Sequence, residues 1–241
     1  MEKPEKRSQL IGQENNFLSE LDQCLEDQIA KNEIDSKSQN RSDKIENQLE
    51  KRRALYARFG YDIEKERQAV IEAAKPFGGR ILEAGTGKGH FALALARSGY
   101  KLVSFDRSEE QLKVAAENIK KSGANHLVEL KREDAEKLSF PDGSFDTIFS
   151  VNMIHHLKNP FVVISELIRV LSPSGKLVIC DFSPKGMAMM AEVYKLEGGT
   201  HEESSIGLEE VEKYLKKFGF EIKKSETKYE ITLVAQRVIM K

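Results

Sequence analysis

Three glycines at alternate positions follow an acidic residue in the segment Glu83–Gly89, which reads Glu-Ala-Gly-Thr-Gly-Lys-Gly. The apolar pair Ile81-Leu82 precedes this segment, and a helix-like run, Phe91–Ala96, follows it. The pattern predicts a strand, a glycine turn and the start of a helix. Glycines permit positive φ and let a ligand approach the backbone, and a helix start leaves N–H groups without helical partners. The segment is a candidate site for a polar small molecule; the alternative is a tight βα turn that binds nothing.

The spacing of these glycines argues against two common nucleotide sites. A dinucleotide fingerprint has two residues between its second and third glycines, whereas only Lys88 separates Gly87 from Gly89. A P-loop has four residues between its glycines, followed by Lys and then Ser or Thr, and this segment has neither feature. Glu83 would repel a pyrophosphate and would suit a cationic ligand. A nicotinamide dehydrogenase is therefore disfavoured.

Asp106 stands at the end of a second predicted strand, Lys101–Phe105. In a parallel sheet, ligands bind outside the carboxyl ends of the strands, so Asp106 and Glu83 are expected at one crevice. A carboxylate there can accept hydrogen bonds from ribose hydroxyls. The alternative is an N-cap for the helix that begins near Ser108. The neighbouring glycine turn favours the ribose interpretation.

Strand-like and helix-like segments alternate along the rest of the chain. The later predicted strands cover residues 126–131, 144–151, 176–182, 220–224 and 229–235. Helical patterns of 10–15 residues between strands indicate βαβ units and a parallel sheet. Residues 161–171 and 208–218 are predicted helices, and the last two strands are predicted to be edge strands.

With these motifs in order, the chain resembles the class I S-adenosylmethionine-dependent methyltransferases, in the methyltransferase type 11 group that includes ubiquinone/menaquinone C-methyltransferases. The resemblance covers residues 78–182 closely and 205–238 loosely. The motifs that carry it are Glu83–Gly89, Phe105–Ser108, Glu133–Ala135, Phe140–Asp146, Asn152–Leu157 and Glu166–Gly175. The resemblance implies an α/β, doubly wound, Rossmann-like fold: a seven-stranded, mostly parallel sheet with an antiparallel last strand, plus an N-terminal helical extension.

The resemblance also implies the cofactor, S-adenosyl-L-methionine, and the residues that hold it. The methionine end is expected at the glycine turn, and the ribose at Asp106. The adenine is expected at Asp134 and Ala135, although Asp134 alone would be taken for a solvated loop carboxylate. Asn152 is expected beside the sulfonium. The full predicted cofactor set is Glu83, Gly85, Thr86, Gly87, Gly89, Asp106, Arg107, Asp134, Ala135 and Asn152.

His155 and His156 raise the question of a metal or a base. Adjacent residues point in different directions and make a poor chelating pair, and the chain has no His-Glu-x-x-His or Cys-x-x-Cys spacing, so we predict no metal. His156 is the candidate catalytic residue, as a general base or a pocket wall. The alternative is a helix start with one His packed under the cofactor and the other exposed.

Two further segments contain residues that could contact a ligand: an aromatic segment before residue 77 and a methionine-rich segment after the fifth strand. Met187, Met190 and Tyr194 recur at helical spacing after the fifth strand. Such a stripe fits a core, but methionine surfaces also adapt to apolar ligands, and in the resembling family this region walls the acceptor pocket. We therefore treat it as a candidate lid. The aromatic residues of 56–61 either cover the cofactor or belong to the core.

Composition limits the partners and the location. The net charge is −1 and basic residues are not interleaved with aromatic ones, so no nucleic-acid partner is expected. No apolar run is long enough to span a membrane, and the N-terminus does not resemble a signal peptide. Two distant cysteines, Cys24 and Cys180, fit a reduced cytoplasm. The expected partner is a small-molecule methyl acceptor, with O, N, C or S as the accepting atom; a catalytically silent cofactor-binding sensor or partner subunit is the alternative.

Three segments divide the chain. Residues 1–43 are a polar extension with one weak amphipathic stripe, expected to be partly disordered or helical. Residues 44–76 are predicted helices that flank the core and end at Pro76. Residues 77–241 form the methyltransferase domain. The extension is alternatively an arm that docks on its own domain or on a second subunit of a homodimer.

Overall fold

The computed structural model describes residues 51–198 and 206–237, and from Arg52 onward they belong to one compact unit. Seven strands in this part form one sheet: β1 (Ile81–Ala84), β2 (Leu102–Asp106), β3 (Val128–Arg132), β4 (Phe145–Val151), β5 (Leu171–Phe182), β6 (Phe220–Glu226) and β7 (Glu230–Arg237). The predicted segment 1–43 lies outside the described residues, as do Cys24 and residues 44–50.

The strand order is β3-β2-β1-β4-β5-β7-β6. Strands β1 to β5 pair in parallel, and β7 runs antiparallel to both β5 and β6. This confirms the predicted α/β, Rossmann-like, seven-stranded sheet with an antiparallel last strand. The prediction that β7 is an edge strand was wrong, because β7 lies between β5 and β6 and its residues Leu233–Ala235 are buried.

Among the described residues, α1 (Ile63–Ala74) precedes the strands, and the helices between or after them are α2 (His90–Arg97), α3 (Glu109–Lys121), α4 (Pro160–Val170), α5 (Pro184–Leu196) and α6 (Leu208–Lys217). A 3₁₀ turn, Ile154–His156, follows β4. The helical segment predicted to end at Pro76 is divided after residue 58 by a turn at Gly60, whose φ is 73°. Asp62 then starts α1, because its side chain accepts from the N–H groups of Glu64 and Lys65.

Alternate residues of the central strands enter two different hydrophobic clusters. One cluster contains Leu82, Ile148 and Leu177 and packs under α4 and α6. The other contains Phe149 and Val178 and packs under α1, α2 and α3. Because neighbouring residues of a strand point to opposite faces, the sheet has helices on both faces. This layering leaves the carboxyl ends of the strands as the edge where loops meet.

Candidate functional site

The glycine turn between β1 and α2 combines a tight backbone with open space. Its three glycines have φ values of 81°, 51° and 83°, a region that disfavours residues with a Cβ. A Cβ on Gly85 would come within 2.7 Å of Met153 Sδ, whereas a Cβ on Gly87 would meet no heavy atom within 4 Å. The turn is therefore packed on one side by the segment that follows β4 and is open at Gly87.

Most N–H groups of this turn already have partners inside the protein. Gly85 and Thr86 donate to the Phe105 carbonyl at 3.0 and 2.9 Å. Gly87 N–H donates to Asp106 Oδ2 at 2.9 Å. The expectation that the turn presents its N–H groups to a ligand is therefore met by fewer groups than the sequence suggested. The turn therefore mainly allows a ligand to come close to the backbone at Gly87.

Glu83 lies beneath the turn and is only 2% exposed. The Ser104 hydroxyl donates to its Oε2 at 2.5 Å, and Ser104 in turn contacts the Thr86 hydroxyl. Burial raises the pKa of Glu83 to about 8, since Ser104 and the charge of Arg67 offset only part of the desolvation. The carboxyl group is therefore poised to lose a proton near neutral pH when a cation approaches.

Asp106 joins the ends of β1 and β2. Its Oδ2 accepts from Gly87 N–H, and its Oδ1 accepts from Ser108 N–H, both at 2.9 Å. The N-cap of α3 is Ser108, whose side chain accepts from Gln111 N–H at 3.3 Å. The alternative role of Asp106 as the helix N-cap is therefore wrong. Its half-buried carboxylate keeps further lone pairs for a ligand.

The remaining predicted contacts of the base and ribose lie at the ends of β2 and β3. Glu133 N–H donates to the Asp106 carbonyl at 3.3 Å, which places the segment after β3 next to the end of β2. Asp134 is exposed, and its Oδ1 accepts from Glu136 N–H at 3.0 Å. Ala135 is half-buried, and Arg107 is exposed. Their roles toward an adenosine stay predictions.

Asn152, directly after β4, is held in a left-handed conformation with φ 53°. Its N–H donates to the Cys180 carbonyl at 2.9 Å, and its Nδ2 donates to Glu230 Oε1 at 2.9 Å. Its buried Oδ1 has no hydrogen-bond partner among the described residues. A buried orphan acceptor needs an explanation, and a donor on a ligand would provide one.

Glu230, on β7, is the centre of a buried polar cluster that the sequence did not reveal. Besides Asn152, it accepts from the Tyr61 hydroxyl at 2.6 Å and from Arg67 Nη1 at 2.9 Å. Burial raises its pKa, but the Arg67 charge and the neighbouring donors more than offset this, so that the pKa lies below its ordinary value. The visible signal was one acidic residue among the mostly apolar residues 229–235.

Positive charge gathers beside the start of α2. Burial, together with the charges of the nearby cations Arg67, Arg53, Lys88 and Arg52, lowers the pKa of His90 to about 4. His90 is therefore neutral near pH 7. The cations around it favour an anionic group at this end of the glycine turn.

A histidine–aspartate pair occupies the ends of β4 and β5. His155 Nδ1 lies 2.5 Å from Asp181 Oδ1, and His155 N–H donates to Asp181 Oδ2 at 3.0 Å. Both residues are buried. His156, the predicted catalytic residue, is exposed, and its ring centroid lies 3.9 Å from that of His155. The same strand-end rule that singled out Asp106 would also have found Asp181.

A cavity of about 360 Å³ opens beside this pair. It is lined by residues of the 3₁₀ turn after β4, the end of β5, β6, β7 and the starts of α5 and α6: Ile154, His155, Asp181, Phe182, Pro184, Met187, Ile206, Gly207, Leu208, Glu209, Glu210, Glu212, Lys224, Ile231 and Leu233. Its volume is within the range of small-molecule sites. Met153 contacts the glycine turn while His155 lines the cavity, so only one residue of chain separates the two features.

The predicted methionine stripe divides between two environments. Met187 lines the cavity. Met190 is buried in a small cluster with Tyr61, and Tyr194 packs against that cluster. Tyr56 and Phe59 pack there too. These contacts support the core alternative for the aromatic residues of 56–61, and they leave Met187 as the stripe residue available to an acceptor.

Comparisons with known proteins match this geometry. A family model described as a methyltransferase domain matches residues 82–179. The phosphatidylethanolamine N-methyltransferase of Cereibacter sphaeroides is 33% identical over 146 residues, which cover 60% of this chain and 71% of that protein. The demethylmenaquinone methyltransferase of Clavibacter sepedonicus is 35% identical, over 54% of this chain and 52% of that protein. A solved SAM-dependent methyltransferase from Aquifex aeolicus is 26% identical with a TM-score of 0.55, over 71% of this chain and 89% of that one.

This chain belongs to the S-adenosylmethionine-dependent methyltransferases. The resemblance inferred from the motifs is thereby confirmed, together with the cofactor. Within residues 51–198 and 206–237, the methyltransferase has no group of three or more His, Cys, Asp or Glu side chains placed to hold a metal ion. Nor does that part of the chain include a helix long and apolar enough to cross a bilayer.

The strand edge of this methyltransferase fits its cofactor chemically. The open position at Gly87 admits a ligand to the backbone, and the buried carboxyl of Glu83 suits a cationic group. The orphan Oδ1 of Asn152 can accept from a donor. Asp106 retains lone pairs for hydroxyls. These groups come from the ends of β1, β2 and β4, which the pairing of Ala84 with both Phe105 and Ser150 holds side by side.

Proposed function

We propose that this methyltransferase moves a methyl group from S-adenosylmethionine to a small-molecule acceptor bound in the cavity beside His155. The observation that carries the proposal is the adjacency of two features: a polar strand edge at the glycine turn, which is open at Gly87, and a cavity lined by His155, which are joined by residues 153–155. When bound, S-adenosylmethionine supplies an electrophilic methyl group and leaves as S-adenosylhomocysteine with the electron pair of the broken C–S bond.

The protein's own contribution on the donor side is binding and orientation. Asp106 would accept from the ribose hydroxyls while Gly87 N–H fixes its carboxylate. Asp134 and Ala135 would meet the base, with Arg107 nearby. Asn152, held by Glu230, would present its Oδ1 to the methionine end. Fixing donor and acceptor in line is the main source of rate in such a transfer.

On the acceptor side, we propose His155 as the general base in place of His156. An Nδ1–H bond to Asp181 places the imidazole proton on Nδ1 and the lone pair on Nε2, which is the tautomer a base needs. The proton that an acceptor hydroxyl or ammonium loses would pass to Nε2, and Asp181 would stabilise the resulting imidazolium. His156 would then only pack beside the His155–Asp181 pair.

The test compares His155→Asn with His156→Asn in the full chain. Turnover is followed as S-adenosylhomocysteine released with a panel of phenols, alcohols and amines, and cofactor affinity is followed by calorimetry. We expect His155→Asn to lower kcat by about 10²-fold or more, the usual contribution of a general base, with unchanged affinity for S-adenosylhomocysteine. His156→Asn should retain most activity. The reverse ranking would return the role to His156.

The acceptor itself is not assigned by the relatives, whose names describe a phospholipid in one case and a quinone precursor in another. The chain spans about half the length of the second of these proteins. Turnover with none of the panel, together with tight cofactor binding, would support the alternative of a silent sensor or partner subunit.

We further propose a cytoplasmic location, a role without nucleic acid, and a homodimer formed through residues 1–43. The proposed cytoplasmic location rests on a buried Cys180 thiol that is not in a disulfide. The proposed role without nucleic acid rests on the balanced charge of the chain. The third rests on the amphipathic stripe in the extension. Sedimentation of the full chain beside a chain that begins at residue 44 tests it: equal masses per particle would exclude the arm as the dimer contact.

A further inference from the structure

We propose that the cavity beside His155 selects a neutral or cationic acceptor with an apolar body and rejects acceptors that carry a phosphate or carboxylate. This inference rests on the proposed function, since it assigns the acceptor class of the same site. It follows from the charges, the helix start and the apolar surface that the described residues bring to the cavity.

The body of the cavity is apolar. Its non-polar lining includes residues of five elements: Ile154 in the 3₁₀ turn, Phe182 on β5, Met187 on α5, Leu208 on α6, and Ile231 with Leu233 on β7. Such a surface gains free energy by covering hydrocarbon or an aromatic ring. Methionine can also adjust its shape to the ligand that it covers. The acceptor therefore has an apolar portion that fills this space.

The charges at the cavity are mostly negative. Of its described lining residues, four are carboxylates (Asp181, Glu209, Glu210 and Glu212) and one is an ammonium, Lys224. That ammonium already has an anionic partner, because Lys224 Nζ lies 2.8 Å from Glu226 Oε1. The hydrogen bond that Lys224 donates to Glu226, together with the negative charges of Glu212 and Glu209, raises the pKa of Lys224. A phosphate would find no uncompensated cation among these residues.

The start of α6 is the other place where an anion could bind, since helix N-termini attract negative charge. Here the first turn itself carries two acidic residues, Glu209 and Glu210. The Glu210 carboxylate accepts from Gly207 N–H at 3.2 Å and so occupies the end of the helix. The helix start is therefore already matched by protein carboxylates. Glu209, exposed at the rim, adds attraction for an ammonium group instead.

The reacting atom of the acceptor would lie at the His155 end of the cavity. Asp181 is engaged by His155 and by the N–H of Phe182 at 2.8 Å, so it orients the imidazole rather than the ligand. An acceptor hydroxyl or amine at this end would lie beside Ile154, the residue after Met153. Because Met153 contacts the glycine turn, the accepting atom would also lie close to the proposed cofactor site. The apolar remainder then points between α5 and α6.

The experiment uses three probes with one carbon skeleton: 3-phenylpropan-1-ol, 3-phenylpropylamine and 3-phenylpropanoate. Their dissociation constants are measured at pH 7 by ligand-observed NMR on the full chain saturated with S-adenosylhomocysteine. We expect the alcohol and the amine to bind at least about tenfold more tightly than the carboxylate, a ratio that corresponds to about 1.4 kcal/mol. Equal or tighter binding of the carboxylate, or no binding of any probe, overturns the inference.

Two matched pairs of variants locate the effect. Met187→Trp fills the cavity and should abolish binding of all probes, whereas Ala188→Trp places the same ring on an exposed position of the same helix and should leave binding unchanged. Glu209→Gln should reduce the preference for the amine over the carboxylate, and Glu221→Gln, an exposed carboxylate at the other end of β6, should not. Probe binding that survives Met187→Trp would place the probes elsewhere and overturn the assignment.

Calorimetry with S-adenosylhomocysteine alone separates this inference from the proposed function. Failure of the protein to bind S-adenosylhomocysteine would sink the proposed function, while the probe series without it still reports the charge preference of the cavity. Tight binding of S-adenosylhomocysteine with no charge preference among the probes would sink only the acceptor class.

Discussion

At the scale of single residues, the site depends mainly on three carboxyl groups, and each of them has different surroundings. Glu83 is buried with one hydroxyl donor, and its pKa is raised to about 8. Glu230 is equally buried but has a guanidinium and several donors, so it is ionised. Asp106 is half-buried and bridges two strand ends. Burial alone therefore does not decide the charge of a carboxyl group; the number and charge of its donors do.

Removal of the Asp106 carboxylate tests the ribose assignment. Asp106→Ala deletes the proposed ligand acceptor and also the partner of Gly87 N–H. We expect affinity for S-adenosylhomocysteine to fall by about 1–3 kcal/mol, the usual value for hydrogen bonds to a charged group. Calorimetry gives the constant directly. Glu221→Ala, an exposed carboxylate on the far edge of the sheet, is the control. Unchanged affinity in Asp106→Ala would reject the assignment.

The raised pKa of Glu83 predicts how stability depends on pH. The folded-state value of about 8 exceeds the ordinary value of 4.5, so the native state binds the extra proton between them. The contribution of Glu83 to stability is therefore fully present below about pH 4.5 and is lost as pH rises toward 8. Relative to Glu83→Gln, the wild-type free energy of unfolding should fall across this window by an amount on the order of 4 kcal/mol.

Urea denaturation of both proteins between pH 5 and pH 8.5 measures this difference. The variant is the matched reference because it keeps the size of the side chain and cannot ionise. A difference between the two proteins that stays constant with pH would mean that Glu83 is already ionised in the folded protein at pH 5.

At the scale of elements, β7 connects the sheet to the N-terminal helix α1. Glu230 pairs with Arg67 across 163 residues of sequence and with Asn152 across 78. The strand thus holds the conformation of the segment after β4, although β7 is inserted between β5 and β6, away from the cofactor edge. Its insertion brings Glu230 opposite Phe182 at the end of β5.

Breaking this connection should be costly because Arg67 would be left buried without its anion. We expect Glu230→Ala to lower the free energy of unfolding by about 3–5 kcal/mol, the usual penalty for one missing partner of a buried ion pair. The double variant Arg67→Met/Glu230→Leu removes both charges and should recover a large part of that loss. Urea unfolding of the three proteins gives the values. A double variant less stable than Glu230→Ala would contradict the account.

The elements also show what the sequence could and could not predict. The strands β1, β2 and β4 and the residues at their ends were predictable, because alternation, glycines and strand-end carboxylates are local signals. The start of β5 at Leu171 was not, since the prediction ended a helix at residue 171 and began the strand only at residue 176. The partners of Asn152 and Arg67 were also out of reach, because they depend on where a distant strand inserts into the sheet. His155 was seen, but its pairing with Asp181 was needed to separate it from His156.

At the scale of the whole molecule, a single sheet, covered by helices on both faces, carries both the proposed cofactor site and the cavity. The proposed donor side lies at the ends of β1, β2, β3 and β4, and residues of β5, β6 and β7 line the cavity. The segment after β4 lies between them, with Met153 against the glycine turn and His155 against Asp181. Because both clusters share the central strands, the described part from Arg52 onward should unfold as one cooperative unit.

Core truncations on the two faces test this cooperativity. Leu167→Ala lies in the cluster under α4, and Ile71→Ala lies in the cluster under α1; both side chains are fully buried. Each should lower the free energy of unfolding by about 2–5 kcal/mol. In each variant, far-UV and near-UV circular dichroism should report one coincident transition.

S-adenosylhomocysteine at about 100 times its dissociation constant should restore about 2.7 kcal/mol to both variants equally, because a ligand of the native state stabilises the whole cooperative unit. Separate transitions, or recovery in only one variant, would show that the two faces unfold independently.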